Sequence, residues 1–543
     1  MSPRPGVPWS AFVLGLAALV LGAAPAAAQF YDAARQALGL APDPIERSPR
    51  LLGMGRLTLA VPDPRNRITL WDFAGNPTGL VVDDSVSTLT IRPGSASASE
   101  VHDFREPGAA GERQDLAARE VRIGYEAWRH GPGPSVFGAI GDVATLRMDT
   151  PFDADVEHRS QLTRPNLMAV IGGRVPRLQT RRLNYALRAL YSVESANDEY
   201  RLFTRNGAGQ YLDRDGVLGA SPDIFNPDEI DAQTQGGGLA VSYSFGRALT
   251  AAVGGDGLRH KIKAENTAES HVSERRETRP VGIGQASLVG RIGPSFEWGV
   301  DGRGWTSRST ETWVFSIATG TAAIPVTGRG DFLRRKEVGS TLRARARCVA
   351  GRLELGGSFG TAYRKVTHTP PPSTDRSSFS HFLNTIYYRT QADTTIFPDT
   401  VVFNRAEDRD WDAAGGASWR LPGDRGTIGA EFHRYRDLFI QTVSGEGPRR
   451  AGWDVRGGLE CRLSLGFSGR AGYLYRWEDL DELTEHNEHV ASSATIGFGL
   501  RPAGATWRFD ADYALEWNQA DFGAPSRPRG TRQQIATEIE WSF

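Results

Sequence analysis

The feature that most constrains this chain is a series of long segments in which apolar and polar residues alternate. Reading back from the C-terminus, Phe543, Trp541, Ile539, Thr537 and Ile535 alternate with Ser542, Glu540, Glu538, Ala536 and Gln534. Upstream, Trp507, Phe509, Ala511, Tyr513, Leu515 and Trp517 alternate with Arg508, Asp510, Asp512 and Glu516. Leu465 to Trp477, Trp453 to Leu463 and Leu342 to Cys348 repeat the pattern. A period of two places successive side chains on opposite faces of a strand. A soluble sandwich alternates as well, but its strands average about five or six residues. These run about ten to thirteen, enough to cross a bilayer at a tilt, and Trp and Tyr gather at their ends as interfacial girdles do. The expected fold class is all-β, a transmembrane antiparallel β-barrel of 14 to 18 strands whose apolar face meets lipid.

Turn lengths set the expected orientation. Short links fall at Gly246, Gly293-Pro294, Ala350-Gly351, Pro422-Gly423-Asp424, Ser464 and Pro502-Ala503-Gly504. Between them, residues 254–280, 306–337, 363–411, 437–451, 478–489 and 518–530 read as long loops. Short periplasmic turns alternating with long outer loops are the pattern of outer-membrane barrels, and it puts Phe543 on the periplasmic side. Thirteen strands are expected from Leu239 onward. Five more lie near 85–92, 119–129, 136–146, 166–175 and 182–193, giving an even total of eighteen.

Composition removes several alternatives. With 63 basic and 64 acidic residues, the chain has no basic footprint for a phosphate backbone, so no nucleic-acid partner is expected. Its two cysteines, Cys348 and Cys461, are far apart in the sequence, share the apolar parity of their strands and have no zinc or redox spacing. Residues 1–28 carry Arg4, an apolar run and a small-residue end at Ala26-Ala27-Ala28, the three regions of a signal peptide. With no later helical span, the expected location is the bacterial outer membrane.

Residues 29–84 do not read as a strand ladder. Asp32 to Leu38, followed by Gly39, suggests a short helix. A Pro-rich link leads to Leu52-Gly53-Met54-Gly55-Arg56, and later comes Asn76-Pro77-Thr78-Gly79-Leu80. Gly53 and Gly55 permit close backbone approach or positive φ, and Asn76-Pro77 reads as a turn. This segment resembles the N-terminal region of the long-chain fatty-acid transporter (FadL-type) barrels and the related PorV-type outer-membrane proteins. There, a "LGMGGA" run and an "NPAGL" run flank a stretch with an aspartate. Here Arg56 replaces the second glycine of the pair and Thr78 replaces alanine. The resemblance implies a three-part chain: signal peptide 1–28, plug or hatch 29–84, and barrel 85–543. Gly53, Gly55, Asn76 and Pro77 are then the plug or gating candidates. A periplasmic extension packed beneath the barrel is the alternative for residues 29–84.

Within the barrel, Arg343, Arg345 and Arg347 project together on one polar face, with Glu354 just across a short turn. Pairing of this ladder with carboxylates is expected, since unpaired charge in a confined lumen is costly. Asp454, Glu460, Asp510, Asp512 and Glu516 offer further acids on nearby walls. Trp541 and Phe543 form a terminal signature like that recognised by the barrel assembly machinery, an expected partner together with outer-membrane lipid. Glu478 to His489 is rich in carboxylates and histidine, but its order matches no metal motif and reads as a solvated outer loop. No catalytic motif, metal site or cofactor is expected. Gly236-Gly237-Gly238 marks either a wall opening or a bend. The resemblance implies an outer-membrane channel for passive uptake of hydrophobic or amphipathic small molecules. The alternative is a PorV-like scaffold for protein secretion or surface attachment.

Overall fold

The computed structural model describes residues 49–59, 87–103, 113–130, 135–153, 156–174, 183–202, 229–246, 248–268, 271–318, 325–369, 405–441, 449–482, 485–521 and 529–543. The signal-peptide reading, the helix expected at Asp32 to Leu38, Asn76 and Pro77 lie outside them.

One antiparallel sheet of eighteen strands closes on itself. The first five strands are β1 (Thr88–Asp103), β2 (Arg113–His130), β3 (Ser135–Asp153), β4 (Val156–Arg174) and β5 (Leu183–Leu202). Next come β6 (Glu229–Phe245), β7 (Leu249–Ala268), β8 (His271–Ile292), β9 (Phe296–Ala318), β10 (Pro325–Ala350) and β11 (Leu353–Thr369). The series ends with β12 (Arg405–Arg420), β13 (Gly426–Gln441), β14 (Arg449–Ser464), β15 (Phe467–Glu482), β16 (Glu485–Leu500), β17 (Trp507–Asp521) and β18 (Arg529–Ser542). Thirteen strands thus begin with β6, and the five upstream segments are strands as well. β1 closes the ring against β18, from Thr88↔Ser542 to Val101↔Arg529. At that seam the Phe543 amide donates to the Ser87 carbonyl at 2.9 Å and Trp541 lies opposite both Leu89 and Trp507. Closure satisfies the edge strands, which hydrocarbon does not tolerate open.

The apolar face points outward. Ile123, Val253, Leu342, Phe432, Ile496 and Ile535 are all exposed, whereas the opposite parity carries buried Glu354, Asp454, Asp510 and Glu538. A soluble protein buries the first set and wets the second, and the reversal requires a lipid exterior and a polar interior. The chain is therefore an outer-membrane β-barrel. Gly246, Gly293, Gly351, Gly423 and Gly504 occupy the short turns at φ between 64° and 79°, a region that L side chains avoid.

The long-loop reading is corrected at several places. Residues 254–280 form most of the β7–β8 hairpin, which stays paired out to Ala268↔His271. Residues 306–337 belong largely to β9 and β10, paired from Cys348↔Phe296 to Pro325↔Ala318. Strands of 20 to 26 residues such as β7 to β10 far exceed the roughly 9 to 11 that a bilayer needs. Their outer ends stand in water on both faces, so the alternation that marks the lipid-crossing part disappears. The Glu478 to His489 stretch is likewise a hairpin, with Glu478 opposite His489.

Gly236-Gly237-Gly238 forms no opening: the three sit in an unbroken ladder between β5 and β7. A Cβ on Gly238 would overlap Asp256, which forms an ion pair with Arg188, so the glycine makes room for that pair.

Candidate functional site

Residues Pro49–Leu59 lie inside the barrel, against the inward face of β13 to β18. They begin with a single helical turn, α1 (Pro49–Gly53). α1 is too short to be stable alone, so its position comes from what it touches. Leu51, Met54 and Leu57 are fully buried, and Leu52 packs with Ala514 and Ala536.

Polar anchors fix the segment at both ends. Arg50 donates through Nε and Nη2 to the Glu460 carboxylate at 2.6 to 3.0 Å. At the far end, the Thr58 and Leu59 amides donate to Glu431 at 2.6 to 2.9 Å. Between them, the Gly55 amide donates to Thr495 Oγ1 at 3.1 Å, and that hydroxyl donates to the Gly53 carbonyl at 2.9 Å. Arg456 donates to the Arg56 carbonyl at 2.9 Å. Backbone groups that would otherwise be orphaned in the lumen are thus met by wall side chains.

The two glycines have separate reasons. A Cβ on Gly53 would overlap the Asp512 carboxylate. Gly55 has φ 71°, and a Cβ there would run into the Gly457 carbonyl and the Tyr473 backbone. Wall glycines answer them: Gly458 and Gly472 lie so close to Met54 and Gly55 that side chains there would collide with the segment. Arg56 follows at φ 63°, a non-glycine residue in the left-handed region. Its guanidinium reaches Glu516 at 3.5 Å and Gln534 at 3.3 Å.

The surrounding wall is a ladder of charge pairs. Arg470 binds Glu460 at 2.9 Å, Asp512 at 3.1 Å and also Asp510. Arg456 binds Asp454 at 2.6 Å. Glu538, with no exposure, accepts from Arg92 at 2.7 Å and Arg508 at 3.0 Å, linking β18 to β1 and β17. Such buried pairs are costly to break from one side.

On β7 to β11 the inward face is different. Glu277 binds Arg279 at 3.0 Å, and Glu337 binds Arg335 at 2.8 Å and Arg364 at 3.1 Å. Beside these pairs, Leu258, Val281, Ile283, Trp305 and Val366 face inward and are buried.

The structure places the sequence candidates as follows. Gly53 and Gly55 sit at the tightest contact between segment and wall. Arg347 pairs with Glu354 across the β10–β11 turn, and Arg420 reaches the same carboxylate at 3.4 Å. Arg343 and Arg345 share the inward parity of Arg347 on β10, with Arg345 exposed. Of this group, Arg420 lines one cavity with Arg50 of α1 and its partner Glu460, and Leu59 lies against Gly356 of β11, two residues from Glu354. The acids on β14 and β17 pair with Arg50, Arg56, Arg456, Arg470 and Arg508. Glu478 accepts from Tyr435, Arg450 and His489. Among the described residues no group of histidine, cysteine and carboxylate side chains could hold a metal ion. Sequence reasoning missed Glu431 and Thr495, because a lone inward carboxylate or hydroxyl on a strand carries no signal until its partner is placed.

No family model and no curated protein matches the sequence. Among solved structures, the chain is similar to a Pseudomonas aeruginosa FadL homologue, at 11% identity over 90% of this chain and 97% of that one, TM-score 0.35. It is similar to the Pseudomonas putida toluene transporter TodX, at 9% identity over 91% and 97%, TM-score 0.35. A third is the ferric yersiniabactin uptake receptor FyuA from Yersinia pestis, at 9% identity over 85% and 80%, TM-score 0.42.

Proposed function

We propose that the protein is an outer-membrane channel for passive uptake of hydrophobic or amphipathic small molecules, with residues 49–59 as part of a plug that narrows its lumen. The observation that carries this reading is a wide closed barrel whose interior is occupied, on one side, by a segment pinned to the wall at Glu460, Thr495 and Glu431. A scaffold that only presents its outer loops has no need of such a built interior. The lining of β7 to β11 supports the solute class. Inward apolar side chains stand beside paired charges, which suits a molecule with a hydrocarbon part and a polar end.

The test is uptake into proteoliposomes containing the purified mature chain. Oleate entry, read by a lumenal fatty-acid-binding fluorophore, should exceed that of protein-free liposomes, and glucose entry should not. Entry of glucose without oleate would overturn the assigned solute class. Entry of neither, with the barrel folded, would overturn the channel and leave the secretion-scaffold reading.

A further inference from the structure

A second surface of the barrel has no part in that channel. On the outward face of β8 to β11, above the lipid-crossing part, Arg276, Arg308, Arg334, Lys336 and Lys365 surround a concavity of about 980 Å³. Thr278, Thr310, Thr312 and Thr367 supply hydroxyls between them. Strand parity fixes the direction: Thr278 and Arg276 share the face of exposed Ile292, and Lys336 shares that of exposed Leu342.

The height of this patch follows from the register. Arg308 stands twelve residues from Phe296 at the short-turn end of β9, and Lys336 fourteen from Ala350 at that end of β10. At about 3.3 Å per residue and a tilt of roughly 40°, these charges lie ~30–35 Å above the periplasmic rim, just beyond an apolar band ~25 Å tall. That is the level of headgroups in the outer leaflet. Directly below, Leu288, Val300 and Leu342 border a shallow groove of about 540 Å³ on the lipid-facing wall.

Charge balance decides what the patch can receive. Arg276 is paired with Glu274, and Lys365 lies 3.8 Å from Glu407. Arg308, Arg334 and Lys336 are exposed and hold no ion pair with any described residue. The chain has 63 basic residues but only four lysines, and all four, Lys261, Lys263, Lys336 and Lys365, fall on the outward faces of β7, β10 and β11 in this region. Lysine offers phosphate a compact charge and arginine a planar fork. We infer that this face binds a phosphate-bearing lipid of the outer leaflet, its phosphates among Arg308, Arg334 and Lys336 and an acyl chain along the groove beneath.

The test uses full-length mature protein in phosphatidylcholine nanodiscs doped with bisphosphorylated lipid A or with the same lipid dephosphorylated. After purification, protein-bound lipid is counted by native mass spectrometry. The phosphorylated lipid should be enriched over its bulk fraction by roughly tenfold or more. The triple variant Arg308→Gln, Arg334→Gln, Lys336→Gln should bring it back to the bulk fraction. Arg119→Gln with Arg434→Gln, outward cations on β2 and β13, should leave the enrichment unchanged. Heat-modifiable gel mobility confirms a folded barrel in each case. If the triple variant fails that check, Gly284→Leu with Gly302→Leu provides the second arm. A Cβ at Gly284 meets open space and one at Gly302 only ordinary contact, so these changes fill the groove and should lower the enrichment severalfold. Equal binding of the dephosphorylated lipid, or full enrichment in both variants, would overturn the assignment. Displacement by millimolar inorganic phosphate alone would show a site for free anions and overturn the lipid as occupant.

Discussion

The inward faces of the two sides of this barrel solve the same electrostatic problem differently. Along β7 to β11 the charges neutralise one another: Glu277 with Arg279, and Glu337 with Arg335 and Arg364. Along β13 to β18 part of the wall's capacity is directed at another segment, with Glu460, Glu431 and Thr495 binding residues of Pro49–Leu59. The first side needs its charges to be stable. The second uses some of them to hold an object in the lumen. Mutations on the two sides should therefore separate barrel stability from pore occlusion.

The sharpest separation comes from Gly55→Val. A β-branched side chain at φ 71° adds about 1–3 kcal/mol of backbone strain, on top of overlap with the Gly457 carbonyl. The segment should leave the wall, converting a nearly closed barrel into a conducting one in planar bilayers, while the unfolding temperature of the barrel changes little. Glu337→Ala should do the reverse. It takes from Arg335 its buried carboxylate and leaves Arg364 with Asp408 at 3.5 Å alone, a loss on the order of 3–5 kcal/mol, read as a lower temperature for the heat-modifiable gel shift with single-channel current unchanged. If Glu337→Ala opened the pore instead, the division between the two sides would be wrong.

Smaller effects sharpen the picture. Glu431→Gln removes the charge from the acceptor of the Thr58 and Leu59 amides, weakening charge-assisted bonds worth about 1.5–3 kcal/mol. The expected result is flickering between closed and open levels, where Gly55→Val gives a steady opening. Arg56→Gly relieves about 1–2 kcal/mol of left-handed strain but loses the contacts to Glu516 and Gln534. The net change in closed-state occupancy should be small, within a factor of about five, by the near-cancellation of the two terms.

Much of this was legible in the sequence, for reasons that also explain what was not. Period-two alternation is strong where one face meets lipid and the other the lumen, so eighteen strands could be counted and the turn glycines at 246, 293, 351, 423 and 504 located. Outside the membrane both faces are wet, and paired stretches such as Lys261↔Thr278 and Glu478↔His489 looked like loop. Gly53 and Gly55 stood out because few residue types tolerate their positions. Arg56 stands where the resembled run has a glycine; it adopts φ 63°, a conformation that favours glycine, and its side chain reaches Glu516 and Gln534. The wall acids were expected to be paired, but which arginine each one holds is set by the register between strands and by where the segment lies.

The central claim is that the N-terminal segment occupies and narrows the lumen. Single-channel conductance in planar bilayers, comparing residues 29–543 with the same chain lacking residues 29–84, tests it most directly. The account predicts a nearly silent full-length barrel and discrete, larger current steps from the deletion, with both proteins heat-modifiable. Equal conductance from the two folded proteins would contradict it.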